Sequence, residues 1–462
     1  MKKRNRIHFE ISERKLLLRV IDVVAVLLSL HCLGRFTDFT YFEISLLNLR
    51  WTIVLALHLM VFGTVFEMYN LWVASNRFLI IRSVTLTTSS TVLFYLLTPL
   101  YTPVLPQNRL QIVFFYFAIF LSLVVWRMIY LKFLASGRFI KKVVLVCDCG
   151  QAGELISDLE KVDPHFKVIA YVNTDSDCDE IVNVVPALEI DQLEAFVRRM
   201  HIAEIVIASH KTDGITANLY NQLIRLLESG YIIREYTQVY EQITQRIPVQ
   251  YITRDFYRYF PFSRSNQNHF YLLMVRMFEL CFSIVGIALG IALLPLILIG
   301  NAFGNRGPLF YSQKRVGRNG KVFKIVKFRT MVTNAEQDGA RFATSKDHRI
   351  TKFGQFLRKT RIDEFPQFFN ILKGEMGIIG PRPERPVFVQ KIAELMPFYE
   401  TRHVIKPGLT GWAQVNYSYG ATLEDSLVKL QYDLYYIKHR SIFIDINILI
   451  KTFSTVLFYR GQ

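Results

Sequence analysis

The sequence predicts a membrane protein, α-helical plus α/β: four N-terminal transmembrane helices, a cytoplasmic Rossmann-like α/β domain, and a C-terminal domain entered through a fifth apolar run. Three observations predict this. Four apolar runs, roughly Leu16–Leu33, Trp51–Met68, Leu79–Leu100 and Leu110–Leu131, each come near the ~20 residues needed to span hydrocarbon. Strand-like and helix-like segments then alternate over about residues 141–240. Finally, the run Leu280–Gly300 precedes a stretch dense in cations and short motifs.

Composition agrees. Of 462 residues, 51% are hydrophobic, and 37 Phe with 23 Tyr suit membrane interfaces. Lys and Arg total 55 against 38 Asp and Glu, a formal charge of +17, which favours an anionic partner. Nucleic acid fits poorly, because the surplus lies beside apolar runs and no nucleic-acid motif is present. The five cysteines lack metal-ligand spacing and predict buried thiols in a reducing compartment.

Orientation follows from the flanks. Lys2, Lys3, Arg4, Arg6, Arg14 and Lys15 precede the first run, Arg77 and Arg82 separate the second from the third, and Arg127, Lys132, Arg138, Lys141 and Lys142 close the fourth. The other two loops are poorer in basic residues, so both the N-terminus and everything after the fourth run are expected in the cytoplasm. The α/β region opens with "KKVVLVCDCGQAG", whose Gly150 and Gly153 make only part of a dinucleotide fingerprint; nucleotide binding is left open there.

The fifth run carries Ser283, Gly286, Gly290 and Pro295 between basic flanks on both sides. Proline removes a backbone donor and clashes one turn back, so Ser283 and Pro295 are expected to break this helix. A crossing helix and one that enters and leaves by the same leaflet are both open on this reading. The final stretch, "SIFIDINILIKTFSTVLFYR", suits a helix lying in the membrane interface.

Chemistry concentrates at Asp363 and Glu364, adjacent carboxylates just before Pro366 and the helical pattern "QFFNILKG". With proline at the first helical position, the pair would sit at a helix N-terminus. Such a pair can hold Mg²⁺ through hard oxygen ligands, or an ionised carboxylate can attack phosphorus. Capping of the helix is the plainer alternative. Lys327, Arg329, Arg358, Arg361, Arg382 and Arg385 bracket the pair, as binding of phosphate groups would require.

Four segments, "RVGRNGKVFKIVKFRTM", "LRKTRIDEFPQFFNILKGEMGIIGPRPE", "KPGLTGWAQVN" and "QYDLYYIKHRS", resemble the bacterial sugar transferase family, the monotopic phosphoglycosyl transferases, over roughly Tyr271–Gln462. The resemblance implies a transmembrane region at 1–138, a Rossmann-like domain at 139–250 and a phosphoglycosyl transferase domain at 251–462, with a re-entrant helix at about 270–300 broken at Pro295. It implies transfer of a sugar-1-phosphate from a UDP-sugar (glucose or galactose) to undecaprenyl phosphate, with UMP released, at the cytoplasmic face of a bacterial inner membrane. Such a step initiates exopolysaccharide, capsule or O-antigen synthesis. Asp363 would be the nucleophile and Glu364 would organise Mg²⁺. Lys327 and Arg329, Arg358, the loop Gly380–Pro383 with Arg382, and the late acidic Asp433 fall on the family's substrate positions. Many members carry an arginine after "WAQVN"; here Tyr417, Ser418 and Tyr419 stand in that place, and Arg402 or Lys406 is the expected substitute. A non-catalytic membrane scaffold or nucleotide-sugar sensor is the competing reading. The oligomeric state, a homo-oligomer included, is left open.

Overall fold

The computed structural model describes residues 11–70, 73–133, 140–148, 151–161, 166–174, 185–208, 215–249, 266, 268–335, 347–396, 398–417 and 422–457. The chain divides into two units, Met1–Thr244 and Gln245–Gln462. The apolar helices and the α/β sheet fall in one unit, and Ile247 and Val249 pack into the core of the second.

In the first unit, four helices correspond to the four apolar runs: α1 (Ile11–Phe36), α2 (Leu49–Val65), α3 (Arg77–Leu96) and α4 (Leu110–Phe133). α2 stops three residues before the expected Met68, in a turn where Glu67 takes φ 58°. α3 begins at Arg77 because the Asn76 side chain accepts from the Phe78 and Leu79 amides, an N-cap. α1, α3 and α4 are long and apolar enough to cross a membrane, whereas α2 is a shorter apolar helix of 17 residues. Inside the bundle, Arg127 of α4 donates to Asp22 of α1 at 2.5 Å; both are fully buried.

The same unit holds a five-stranded, wholly parallel sheet. Its strands are β1 (Lys141–Cys147), β2 (Phe166–Asn173), β3 (Ala187–Leu188), β4 (Glu204–Ile207) and β5 (Ile232–Glu235), in the order β3-β2-β1-β4-β5. Buried Val144, Val146, Val172 and Ile205 pack against Leu193 and Val197 of α6 (Leu193–Met200) and Leu219, Leu223 and Leu226 of α7 (Ala217–Glu228), while α5 (Ala152–Glu160) and α8 (Tyr236–Thr244) complete the helices of this unit. Gly150 of the incomplete fingerprint lies outside the described residues.

The second unit is built on α9, a 36-residue helix (His269–Gly304). α9 runs from His269 to Gly304 with both Ser283 and Pro295 inside it. Ser283 is buried and its hydroxyl donates to the Glu279 carbonyl at 2.6 Å, satisfying itself within the helix. Proline is tolerated in apolar helices when neighbouring elements hold them, and α9 is held along most of its length. A Cβ added at Gly286 would meet the Phe368 ring at 2.4 Å, one at Gly290 the Phe365 ring at 3.4 Å, and one at Gly300 the Phe353 ring at 2.2 Å. These glycines permit close packing of aromatic rings rather than breaking the helix.

After α9 come a hairpin of β6 (Phe310–Val316) and β7 (Val322–Phe328), then α10 (Lys352–Lys359) and α11 (Gln367–Lys373). A small parallel pair follows, β8 (Gly377–Ile379) and β9 (Gly408–Thr410), with α12 (Pro386–Leu395) between them. α13 (Trp412–Asn416), α14 (Leu423–His439) and α15 (Ile442–Leu457) complete the chain. α15 turns both its charges inward. Asp445 accepts from Tyr436 Oη at 2.8 Å and Lys451 donates to Asn416 at 2.6 Å, while Ile442, Phe443, Ile446 and Phe453 stay exposed.

Candidate active site

The carboxylate pair lies on a short 3₁₀ turn, Ile362–Glu364, between α10 and α11. Thr351 caps α10 by accepting from the Gly354 amide at 2.9 Å, and a Cβ at Gly354 would meet the Thr330 carbonyl at 2.0 Å. That close approach lets Arg358 donate from Nε to Thr330 Oγ1 at 2.9 Å. The chain then reverses at Arg361, a non-glycine residue at φ 59°, immediately before the turn that carries the pair. Left-handed backbone of this kind costs on the order of 1 kcal/mol or more and persists only where surroundings impose it. Pro366 occupies the N-cap of α11 rather than its first helical position, and α11 has seven residues, so the pair precedes the helix instead of beginning it. Gly374 closes α11 at φ 84°, as expected.

Both carboxylates are buried: Asp363 is 6% and Glu364 8% exposed. Their partners differ. Glu364 accepts from Lys327 Nζ at 2.8 Å and from Arg382 Nη2 at 3.4 Å, with Arg361 Nη1 at 3.9 Å. Burial alone would raise the Glu364 carboxyl, but Lys327, Arg382 and Arg361 outweigh it and hold it well below the ordinary carboxylate range. Asp363 Oδ1 is buried and has no hydrogen-bond partner among the described residues. Burial and the neighbouring Glu364 charge push the Asp363 carboxyl up, against the pull of Lys327, Arg358 and Arg361. One carboxylate is thus a satisfied counter-ion, and the other is a poorly stabilised anion with an oxygen to spare.

The structure therefore brings together Asp363, Glu364, Lys327, Arg358, Arg361 and Arg382. Four cations around two carboxylates leave an excess of 4 − 2 = +2 to meet an incoming polyanion. Placement of Lys327 depends on Asn370 of α11, whose side chain donates to the Lys324 carbonyl at 2.8 Å and accepts from the Val326 amide at 3.4 Å. Asn370 and Thr330 lie within the motifs read from sequence, but nothing in their spacing distinguishes them as braces.

Four other residues singled out from the sequence have the following surroundings. Arg329 is 7% exposed, and its guanidinium donates to the carbonyls of Pro308 (2.7 Å), Met331 (2.8 Å) and Asn305 and to the Asn305 side chain (3.2 Å). It braces the connection from α9 to β6 instead of reaching the pair. Asp433 is 2% exposed and pairs with Arg402 at 2.7 Å. Arg402 is itself buried, so it does not offer the free cation expected to replace the missing arginine. Lys406 lies at the far end of α11, where a Cβ at Gly374 would come 3.7 Å from its Nζ. At the replaced position, Tyr417 donates to Asp425 at 2.6 Å; Ser418 and Tyr419 lie outside the described residues.

For Mg²⁺, the described residues contain no group of three or more metal-ligating side chains. The unpartnered Asp363 oxygen beside Glu364 nonetheless fits this ion, which characteristically takes one or two carboxylates and completes its shell with water and substrate phosphate.

Known proteins resemble this chain over the segment that carries the pair. A family model described as bacterial sugar transferase matches residues 270–459, and one described as CoA-binding domain matches residues 64–213. The chain is similar to a UDP-N-acetylgalactosamine-undecaprenyl-phosphate N-acetylgalactosaminephosphotransferase of Aeromonas hydrophila, 35% identical over 254 residues, 55% of this chain and 59% of that protein. An undecaprenyl-phosphate glucose phosphotransferase of Komagataeibacter xylinus is 37% identical over 215 residues, 44% of this chain and 40% of its own length. A putative undecaprenyl-phosphate N-acetylgalactosaminyl 1-phosphate transferase of Bacillus subtilis is 43% identical over 141 residues, 30% of this chain and 79% of that protein. The chain spans about half the length of the first two relatives.

Proposed function

The chain belongs to the bacterial sugar transferase family, and we propose that it moves a sugar-1-phosphate from a UDP-sugar to undecaprenyl phosphate through a covalent intermediate on Asp363. The observation that carries this reading is the contrast within the pair: Glu364 is fully engaged by cations, while Asp363 keeps a buried oxygen without a partner.

In the first step an Asp363 carboxylate oxygen attacks the β-phosphorus of the UDP-sugar. The bond from that phosphorus to the bridging oxygen breaks, and UMP leaves with the electron pair. The sugar phosphate is then held as an acyl phosphate. In the second step a phosphate oxygen of the polyprenyl acceptor attacks the same phosphorus and the Asp363 carboxylate departs, leaving a diphosphate-linked lipid. An anion approaching a pyrophosphate meets electrostatic repulsion, and Lys327, Arg358, Arg361 and Arg382 lie where they offset it. When Mg²⁺ is bound by Asp363 and Glu364, it adds charge neutralisation at the phosphates.

The site belongs at a membrane surface, on the cytoplasmic face of the inner membrane. Contacts with α10 and α11 run along α9 from Arg276, which donates to the carbonyls of Ile371 and Leu372 at 2.8 Å, to Gly304 beside Phe353. If α9 crossed straight through, Asp363 and its cations would lie at hydrocarbon depth, where charge is strongly disfavoured. A re-entrant or surface-lying course for α9 avoids this, and the outward apolar face of α15 suits the same interface.

The test is UMP release by the purified protein with Mg²⁺, undecaprenyl phosphate and a panel of UDP-glucose, UDP-galactose and UDP-N-acetylgalactosamine. One of these is expected to turn over, with Asp363→Asn abolishing both release and the labelled sugar-phosphate adduct. Full activity in that variant, or no release from any donor, would overturn the proposal.

A further inference from the structure

The loop Gly380–Glu384 presents Arg382 to the carboxylate pair, and its backbone is unusually constrained. Pro381 and Pro383 have no amide hydrogen to donate. Every carbonyl from Pro381 to Glu384 is nevertheless taken, each by a different donor. The Gly408 amide donates to Pro381 O at 2.9 Å, Arg402 Nη2 to Arg382 O at 3.0 Å, Arg315 Nη1 to Pro383 O at 3.0 Å, and the Val316 amide to Glu384 O at 2.9 Å.

Of these donors, Arg402 is tied to a buried carboxylate. It is 5% exposed, its Nη2 lies 2.7 Å from Asp433 Oδ2, and its Nη1 donates to Tyr399 Oη at 2.6 Å. The Tyr399 ring centroid is 5.1 Å from its Cζ. Asp433 comes from α14, far along the chain, and is 2% exposed. A connected path results. Asp433 holds Arg402, Arg402 holds the backbone of Arg382, and the Arg382 guanidinium reaches Glu364 Oε1 at 3.4 Å. The Arg382 side chain is 26% exposed, so it can meet a ligand, whereas Arg402 is enclosed and neutralised.

We propose that Arg402 and Asp433 are positioning residues: they fix the backbone of Arg382 so that its guanidinium meets Glu364, and they do not themselves grip substrate phosphate. The inference rests on the sugar-phosphate transfer reading for its rate measurement, and on backbone protection otherwise. A buried ion pair that loses one member leaves an uncompensated charge. Asp433→Asn is therefore expected to release Arg402 from its place, and with it the Arg382 carbonyl.

The experiment is a double-mutant cycle on the full chain in detergent, read by UMP release. Asp433→Asn should lower kcat/KM by about 10- to 100-fold, the size typical when a supporting contact is lost. On an Arg382→Ala background it should cost less than about 2-fold, because residues acting as one unit are not additive. Equal losses on both backgrounds, or no loss on either, overturn the inference. Should Asp433→Asn fail to fold, Arg402→Met with Asp433→Leu removes both charges at similar volume and is expected to follow the same pattern. Amide exchange gives the second readout. The Ile379, Gly380, Arg382 and Glu384 amides should exchange faster in Asp433→Asn. If the wild-type protein releases no UMP from any donor, the transfer reading fails, and this measurement alone decides: unchanged protection at these amides overturns the positioning role.

Discussion

Asp363 is kept in an environment that suits its proposed chemistry and works against stability. Burial and Glu364 raise its carboxyl, so in the native state its ionised form is disfavoured relative to the unfolded chain. The sign follows from linkage: above the raised native value the charge costs stability, and below the unfolded value near 3.9 the cost vanishes. Asp363→Asn should therefore melt at a higher temperature than wild type in metal-free buffer near pH 7, by at least about 1 kcal/mol for a shift of one pKa unit. The gain should shrink as pH falls towards 4. A variant that melts lower than wild type at neutral pH would show that the carboxylate is stabilising, and the strained-anion account would fail. Glu364→Gln should do the opposite, because it strips Lys327 and Arg382 of their buried acceptor.

At the level of elements, α9 and α11 meet through glycine on one side and phenylalanine on the other. Gly286→Val would press a branched side chain into Phe368, and overpacking of this kind typically costs about 1–3 kcal/mol. Thermal unfolding of the variant should show that loss together with reduced UMP release, since Phe365 and Phe368 closely follow the pair in sequence. A Gly286→Val variant as stable as wild type would remove α9 from the support of the site. This interface also shows what sequence could convey. The adjacency of Asp363 and Glu364, and the cations Lys327, Arg358, Arg361 and Arg382, were legible, because charge density and motif order are one-dimensional properties. The glycines were not: within one helix, a packing glycine and a bending glycine look alike until the opposing ring is placed. The partners of Arg329 and Asp433 were not legible for a related reason. The partners that occupy them are backbone carbonyls and a buried guanidinium brought near only by folding.

Across the whole molecule, apolar length located the N-terminal helices. The four N-terminal runs emerge as helices within a few residues of their expected ends, yet they share a unit with the parallel sheet. That unit has its own charged core. Arg127 and Asp22 pair across α4 and α1 in full burial, with the Tyr69 ring centroid 5.6 Å from the Arg127 guanidinium carbon. Removing one member leaves the other uncompensated. Arg127→Met alone is expected to cost about 3–5 kcal/mol, and Arg127→Met with Asp22→Leu to recover most of it, measured by unfolding in detergent. A double variant no better than the single would make the pair more than a latch between two helices.

The contact between Phe365 and Gly290 has one more implication. Glu364 is the next residue along, so a single phenyl ring separates the reactive acids from a helix whose other faces are apolar and open. A donor dissolved in water and an acceptor dissolved in oil could then collide without either changing phase. On the proposed transfer, turnover would be governed by how crowded the acceptor is within the two-dimensional film, and adding inert lipid would slow it as surely as withholding the sugar donor.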